Sequence, residues 1–209
     1  MEKIVKKDAR PGFYDLVILF VLISFLGWCM EMIYFRVRWK SVLDRGFLTL
    51  PLCTIYGSCI LAVYLIIGTP QGGRLQPLFM RAKQLRILPR GFAYTGLYVI
   101  YFLVVSLIPT VAEFIVGLFF DKVFGVVLWD YSYYTFDILG YVCLEMTLVW
   151  GIVITMAMRF VWPLLVKLVC LSSPRVVKVK AIVLSVVIFA DLVFNFIYLC
   201  INGCHFVLF

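Results

Sequence analysis

Glu31, Glu113, Glu145 and Asp191 each stand inside an apolar stretch of the chain. A carboxylate in such surroundings can hold a cation, keep a proton near neutral pH, or act as a general acid or base, because burial shifts its protonation equilibrium. Placing an ionised side chain at the centre of a bilayer costs about 2.5–3.5 kcal/mol on insertion scales, so it marks a working position by default. These acids are therefore the first place to look for function. Arg159 is the matching basic anomaly.

The elements that must position them are membrane helices. Apolar residues make up 65% of the 209 residues, aromatic residues 17% and charged residues only 14%, with a mean hydropathy of +1.08. A soluble core of this size could not hide so much apolar surface. The net charge of +8 is carried between apolar segments and at the N-terminus, where it sets topology and meets lipid headgroups; a nucleic-acid partner is not expected. Cys29, Cys53, Cys59, Cys143 and Cys200 fall in apolar segments, where free cysteine acts as a small hydrophobe, and no disulfide framework is implied. Cys200, Cys204 and His205 lack a fourth zinc ligand, and His205 is the lone histidine, so no metal site is expected. The run after Lys3, Lys6, Lys7 and Arg10 is too long for a signal peptide and reads as the first membrane helix.

A span of about 20 apolar residues crosses a bilayer, and this ruler predicts an all-α, polytopic bundle in one membrane domain over 1–209. Its five helices lie near 14–37, 48–68, 93–119, 140–168 and 181–201. Residues 68–90 are rich in Gly, Pro and basic residues and contain no acid; they read as a loop with a short interfacial helix. Residues 171–180 form a second basic loop. Thirteen Lys and Arg fall on the side of the N-terminus against five on the other, which predicts a cytoplasmic N-terminus in a multi-pass protein of the cell membrane.

In that orientation a rise of 1.5 Å per residue brings Glu31, late in the first helix, Glu113, late in the third, and Glu145, early in the fourth, to one level in the outer half of the bilayer. A shared acidic cavity follows, with Arg45 at its edge as a gating charge. Asp191 lies nearer mid-membrane, where Arg159 is its candidate partner. The structural alternative is that each acid snorkels to water or fixes helix register.

Further signals surround these residues. Gly27 and Glu31 share a helical face at i and i+4, so a neighbouring backbone can approach beside the carboxylate. Gly46 and Pro51 indicate an irregular entry to the second helix, and irregular backbone at membrane depth needs protein or a wet cavity to satisfy it. Pro109 removes a backbone donor one turn before Glu113. The aromatics of residues 128–136 read as an interfacial belt, with Trp129-Asp130 adding an acid attractive to a cation.

Taken together, the Gly27-Trp28 and Glu31 segment, the Arg45-Gly46-Phe47 to Ile55-Tyr56-Gly57 segment, Glu113, the Trp129-Asp130-Tyr131-Ser132 motif and Trp150-Gly151 resemble the bacterial family called "Putative ABC-transporter type IV", or CmpB-like ABC transporter permeases. The resemblance spans about residues 20–155. It implies an integral membrane transport component, and it adds Tyr56 to the substrate-binding candidates Glu31, Arg45, Glu113, Trp129, Asp130 and Glu145. The chain departs from the family pattern at Asp44, Leu50, Thr54, Asp137 and Tyr141.

The chain has no Gly-x-x-x-x-Gly-Lys-Ser/Thr phosphate loop, so ATP hydrolysis of the P-loop kind requires a separate ATPase subunit on the cytoplasmic face. Five helices are few for a transport path, which suggests a homo-oligomer or a partner subunit. No cofactor and no catalytic residue are assigned. The expected function is a permease component binding a cation or cationic solute; the alternatives are a membrane-embedded enzyme acting on lipid or lipid-linked substrates and a structural or assembly subunit.

Overall fold

A computed structural model of the chain describes residues 10–40, 46–70, 72–204 and 206. Helix α1 (Phe13–Trp39) starts where the Asp15 carboxylate accepts the Gly12 backbone N–H at 2.8 Å. It ends with Arg36 and Arg38 in its last turn, where positive charge favours the dipole. Helix α2 (Thr54–Ile66), the short α3 (Gln76–Lys83) and the long α4 (Ile87–Phe119) follow, α4 continuing through a π-helical turn, Phe120–Phe124. A two-stranded antiparallel hairpin, β1 (Asp137–Ile138) with β2 (Val142–Cys143), pairs Asp137 with Cys143 and Ile138 with Val142. Helix α5 (Leu144–Met156) passes through a second π turn, Ala157–Val161, into α6 (Trp162–Cys170), and α7 (Pro174–Asn202) closes the order.

Among the described residues four helices are long and apolar enough to cross a membrane: Phe13–Arg38, Ile87–Phe124, Leu144–Cys170 and Pro174–Asn202. The second expected helix is the exception. It spans 13 residues rather than 48–68, because Pro51 and the segment around it hold residues 46–53 out of helical geometry. Two other boundaries move outward for a common reason: α4 begins at Ile87 with Pro89 in its first turn, and α7 begins on Pro174. Proline is preorganised for a helical first turn, and arginine or lysine there costs little. Residues 140–143, expected to open the fourth helix, instead make the hairpin. The basic loop does hold a helix, α3, whose Phe79 and Ala82 are buried.

The chain divides into two compact units. The first comprises 1–57, 162–198 and 205–209. In it α1 packs on α6, Phe47 meets Phe196 with ring centroids 4.9 Å apart, and the Cys53 N–H donates to the Ser24 carbonyl at 3.0 Å. The second comprises 58–161 and 199–204. There α4 packs along α5, and α3 lies on α4 with Phe79 edge-on to Tyr94 and Tyr98. Large apolar side chains such as Val186, Phe189 and Ile197 on α7 stand exposed, the inverse of a soluble helix and suited to lipid contact.

Candidate functional site

In the second unit the site grows from the antiparallel seam of α4 and α5. Thr110 donates to Thr147 Oγ1 at 3.0 Å, and Thr147 lies one turn into α5. That register lets Trp150 reach Glu113, donating its indole N–H to Oε1 at 2.8 Å. Glu113 is 7% exposed. The Tyr131 hydroxyl approaches the same oxygen at 3.5 Å, a long contact from the loop that follows α4. These two donors are neutral and soften the cost of burying the carboxylate. The same register puts Glu145, in the first turn of α5, at the level of Glu113. Its Oε2 is buried with no hydrogen-bond partner among the described residues.

The loop above this seam is tied down by its own motif. Trp129 donates its indole N–H to the Tyr141 carbonyl at 2.8 Å, and the Tyr131 N–H bonds the Gly140 carbonyl at 2.8 Å. Asp130 Oδ1 accepts the Ser132 N–H at 2.8 Å; that bond, with the Ser132 hydroxyl, holds the Asp130 carboxyl below the usual carboxylate range. Gly140 has φ +74, and a Cβ there would meet Asp130 Oδ1 at 3.1 Å, so both the backbone conformation and the tight approach favour glycine. Tyr141 donates its hydroxyl to Asp121, which raises the phenol's pKa. Asp121 also pairs with Lys122 at 2.8 Å. The Cys143 thiol is pushed up by burial. Trp129 and Asp130 thus serve to shape the loop that carries Tyr131.

In the first unit Tyr56 donates its hydroxyl to Glu31 Oε1. Gly27 makes this contact possible: a Cβ on it would lie 2.5 Å from Tyr56 ring carbons. Asp191 accepts the Leu50 N–H at 3.0 Å, and its other oxygen accepts Asn195 Nδ2 at 3.1 Å. Asn195 is fully buried and also donates to Thr49 Oγ1 at 3.1 Å. The non-helical segment 46–53 is thereby fastened to α7.

Glu113, Trp129, Asp130 and Glu145 belong to the second unit, Glu31 and Tyr56 to the first, and Arg45, the expected gating charge, lies outside the described residues, as does His205. Asp191 takes its bonds from Leu50 and Asn195, and Arg159 lies over the Phe160 ring at 5.7 Å. Tyr131, read as part of an aromatic belt, turns its hydroxyl toward Glu113. Trp150 as a carboxylate donor and Asn195 as the buried amide were not anticipated; Asn195 stands four residues after Asp191 in an apolar run, which is the signal that could have found it. Among the described residues no cluster of three His, Cys, Asp or Glu could hold a metal ion.

No curated protein matches the chain, and no solved structure does. The model of the family described as "Putative ABC-transporter type IV" matches residues 18–196, and the four apolar spans accord with it. This multi-pass membrane protein belongs to the "Putative ABC-transporter type IV" family.

Proposed function

We propose that the chain is the membrane-embedded permease component of a transport system, and that it binds a cation or cationic solute at the Glu113 carboxylate. The observation that carries this reading is a carboxylate only 7% exposed inside a membrane helix, accepting the Trp150 indole N–H at 2.8 Å with the Tyr131 hydroxyl at 3.5 Å. A carboxylate at that depth marks a working position, and Glu145 at the same level of α5 supplies a second acid. In the first unit, Glu31 with Tyr56 is a further candidate polar contact. With the N-terminus cytoplasmic, these acids belong to the outer half of the bilayer. Energy comes from a separate ATPase docking on the basic cytoplasmic loops, and copies of the chain assemble into the full path.

Trp150 makes the reading testable, because its indole bonds the proposed ligand group. Protein in lipid nanodiscs is titrated with sodium, potassium, magnesium and small organic ammonium ions while tryptophan fluorescence is followed. One of these cations shifts the wild-type signal saturably, and Glu113→Gln abolishes the shift while the protein still inserts. A saturable shift unchanged in Glu113→Gln, or no shift with any cation, overturns it.

A further inference from the structure

Arg159 poses a problem that the Glu113 centre does not address. It lies fifteen residues into the span Leu144–Cys170, about 22 Å along the helix at 1.5 Å per residue, and it is exposed within the π turn Ala157–Val161. Its recorded contact is the face of Phe160, and no carboxylate among the described residues pairs with it. A guanidinium presented from a membrane helix is costly unless it pairs or reaches headgroups and water. Beside it runs a groove of about 420 Å³ walled by Tyr98 and Phe102 of α4 and by Ile152, Met156 and Phe160 on the α5 side. Thr155 lines the same groove, its hydroxyl buried and without a hydrogen-bond partner among the described residues.

The charge around the groove has one sign. Thr147 opposite Thr110 fixes the antiparallel register, which sets Arg159 beside the first half of α4, the half headed by Arg86 and Arg90. Residues 68–90, which lead into that end, contain five Lys or Arg and no acid. Apolar walls in lipid suit an acyl chain, and unopposed cations at the end of the groove suit a phosphate. A zwitterionic headgroup brings its own ammonium and gains little; a headgroup of net negative charge gains from each cation.

We propose that the α4–α5 groove is a binding site for an anionic phospholipid, its acyl chain along Phe102 and Ile152 and its phosphate on Arg159. The site is distinct from the Glu113 centre and does not depend on it.

Native mass spectrometry of the detergent-purified chain, titrated with phosphatidylglycerol or with phosphatidylcholine of the same acyl chains, tests it. The wild type retains phosphatidylglycerol in preference. Arg159→Gln weakens that lipid about fivefold, the value of one cation at roughly 1 kcal/mol, and leaves phosphatidylcholine unchanged. Arg159→Lys keeps the charge and most of the preference. Val99→Trp, which fills the groove with Arg159 intact, lowers retention of phosphatidylglycerol. Lys180→Gln, which removes one charge elsewhere, changes nothing. Equal retention of the two lipids by the wild type overturns the proposal, as does wild-type preference in Arg159→Gln or an equal loss in Lys180→Gln.

Discussion

Trp150 donates its indole N–H to the buried Glu113 carboxylate across 2.8 Å, and so joins α5 to α4 through an acid rather than through apolar packing alone. The bond is charge-assisted, yet in a membrane the unfolded reference also finds partners. Measured interhelical hydrogen bonds there average about 0.6 kcal/mol and reach about 1.7.

Trp150→Phe therefore destabilises the chain by about 1–2 kcal/mol, read as a fall in thermal unfolding midpoint in detergent. Glu113→Gln keeps an acceptor for the indole and costs less. Trp150→Phe and Glu113→Leu are not additive, because each removes the same bond; a double-mutant cycle with no coupling energy would refute the pairing.

Gly27→Ala places a Cβ 2.5 Å from the Tyr56 ring, closer than real side-chain contacts come, and α1 and α2 must separate to admit it. Overpacking of this kind costs about 1–3 kcal/mol. Tyr56→Phe removes only the hydroxyl that reaches Glu31, so it costs less than Gly27→Ala. Unfolding midpoints of the two variants give the order directly, and the reverse order would contradict the close approach.

How much of this was legible follows from the length scale of each signal. Long apolar periods located the helices that became α1, α4, α5 with α6, and α7, since about 20 apolar residues in a row have few other uses. The hairpin was not legible, because strands of two residues are too short to alternate. Pro51 announced irregular backbone, but the extent of it, residues 46–53, is set by Asp191 and Asn195 far along the chain. Within the candidate site Glu113 was visible as a charge out of place. Trp150 was not, since an indole in an apolar helix looks like packing until its N–H is seen to point at an acid. Depth along each helix told nothing of the unit to which Glu31 or Glu113 belongs.

The Asp130 turn gives a pH dependence whose sign is fixed. Its folded carboxyl titrates below the usual range because the Ser132 N–H and hydroxyl favour the anion. A group depressed on folding stabilises above its unfolded pKa, about 3.9, and the contribution disappears as pH falls through the folded value. Acidification below about pH 4 thus loosens the 128–143 loop. The near-ultraviolet signal of Trp129, held by Tyr141, reports the change. Asp130→Asn flattens that acid limb; an unchanged acid limb in the variant would exclude Asp130 as its source.

Asp191 and Asn195 make a prediction about dynamics. The backbone of 46–53 has little secondary structure of its own, and a free N–H at membrane depth is costly. Leu50 N–H is satisfied by Asp191, and Asn195 spans Asp191 and Thr49. Asp191→Leu removes both acceptor oxygens, leaving the Leu50 N–H to seek water and Asn195 Nδ2 without one of its acceptors. Hydrogen exchange across residues 46–53 then quickens, while exchange in α4 and α5 stays as in the wild type. Asp191→Asn keeps one acceptor oxygen for Leu50 and gives an intermediate rate. Uniform acceleration along the whole chain would instead mean that Asp191 supports global folding rather than this segment, and unchanged exchange at Leu50 would mean that its N–H is held by some other group.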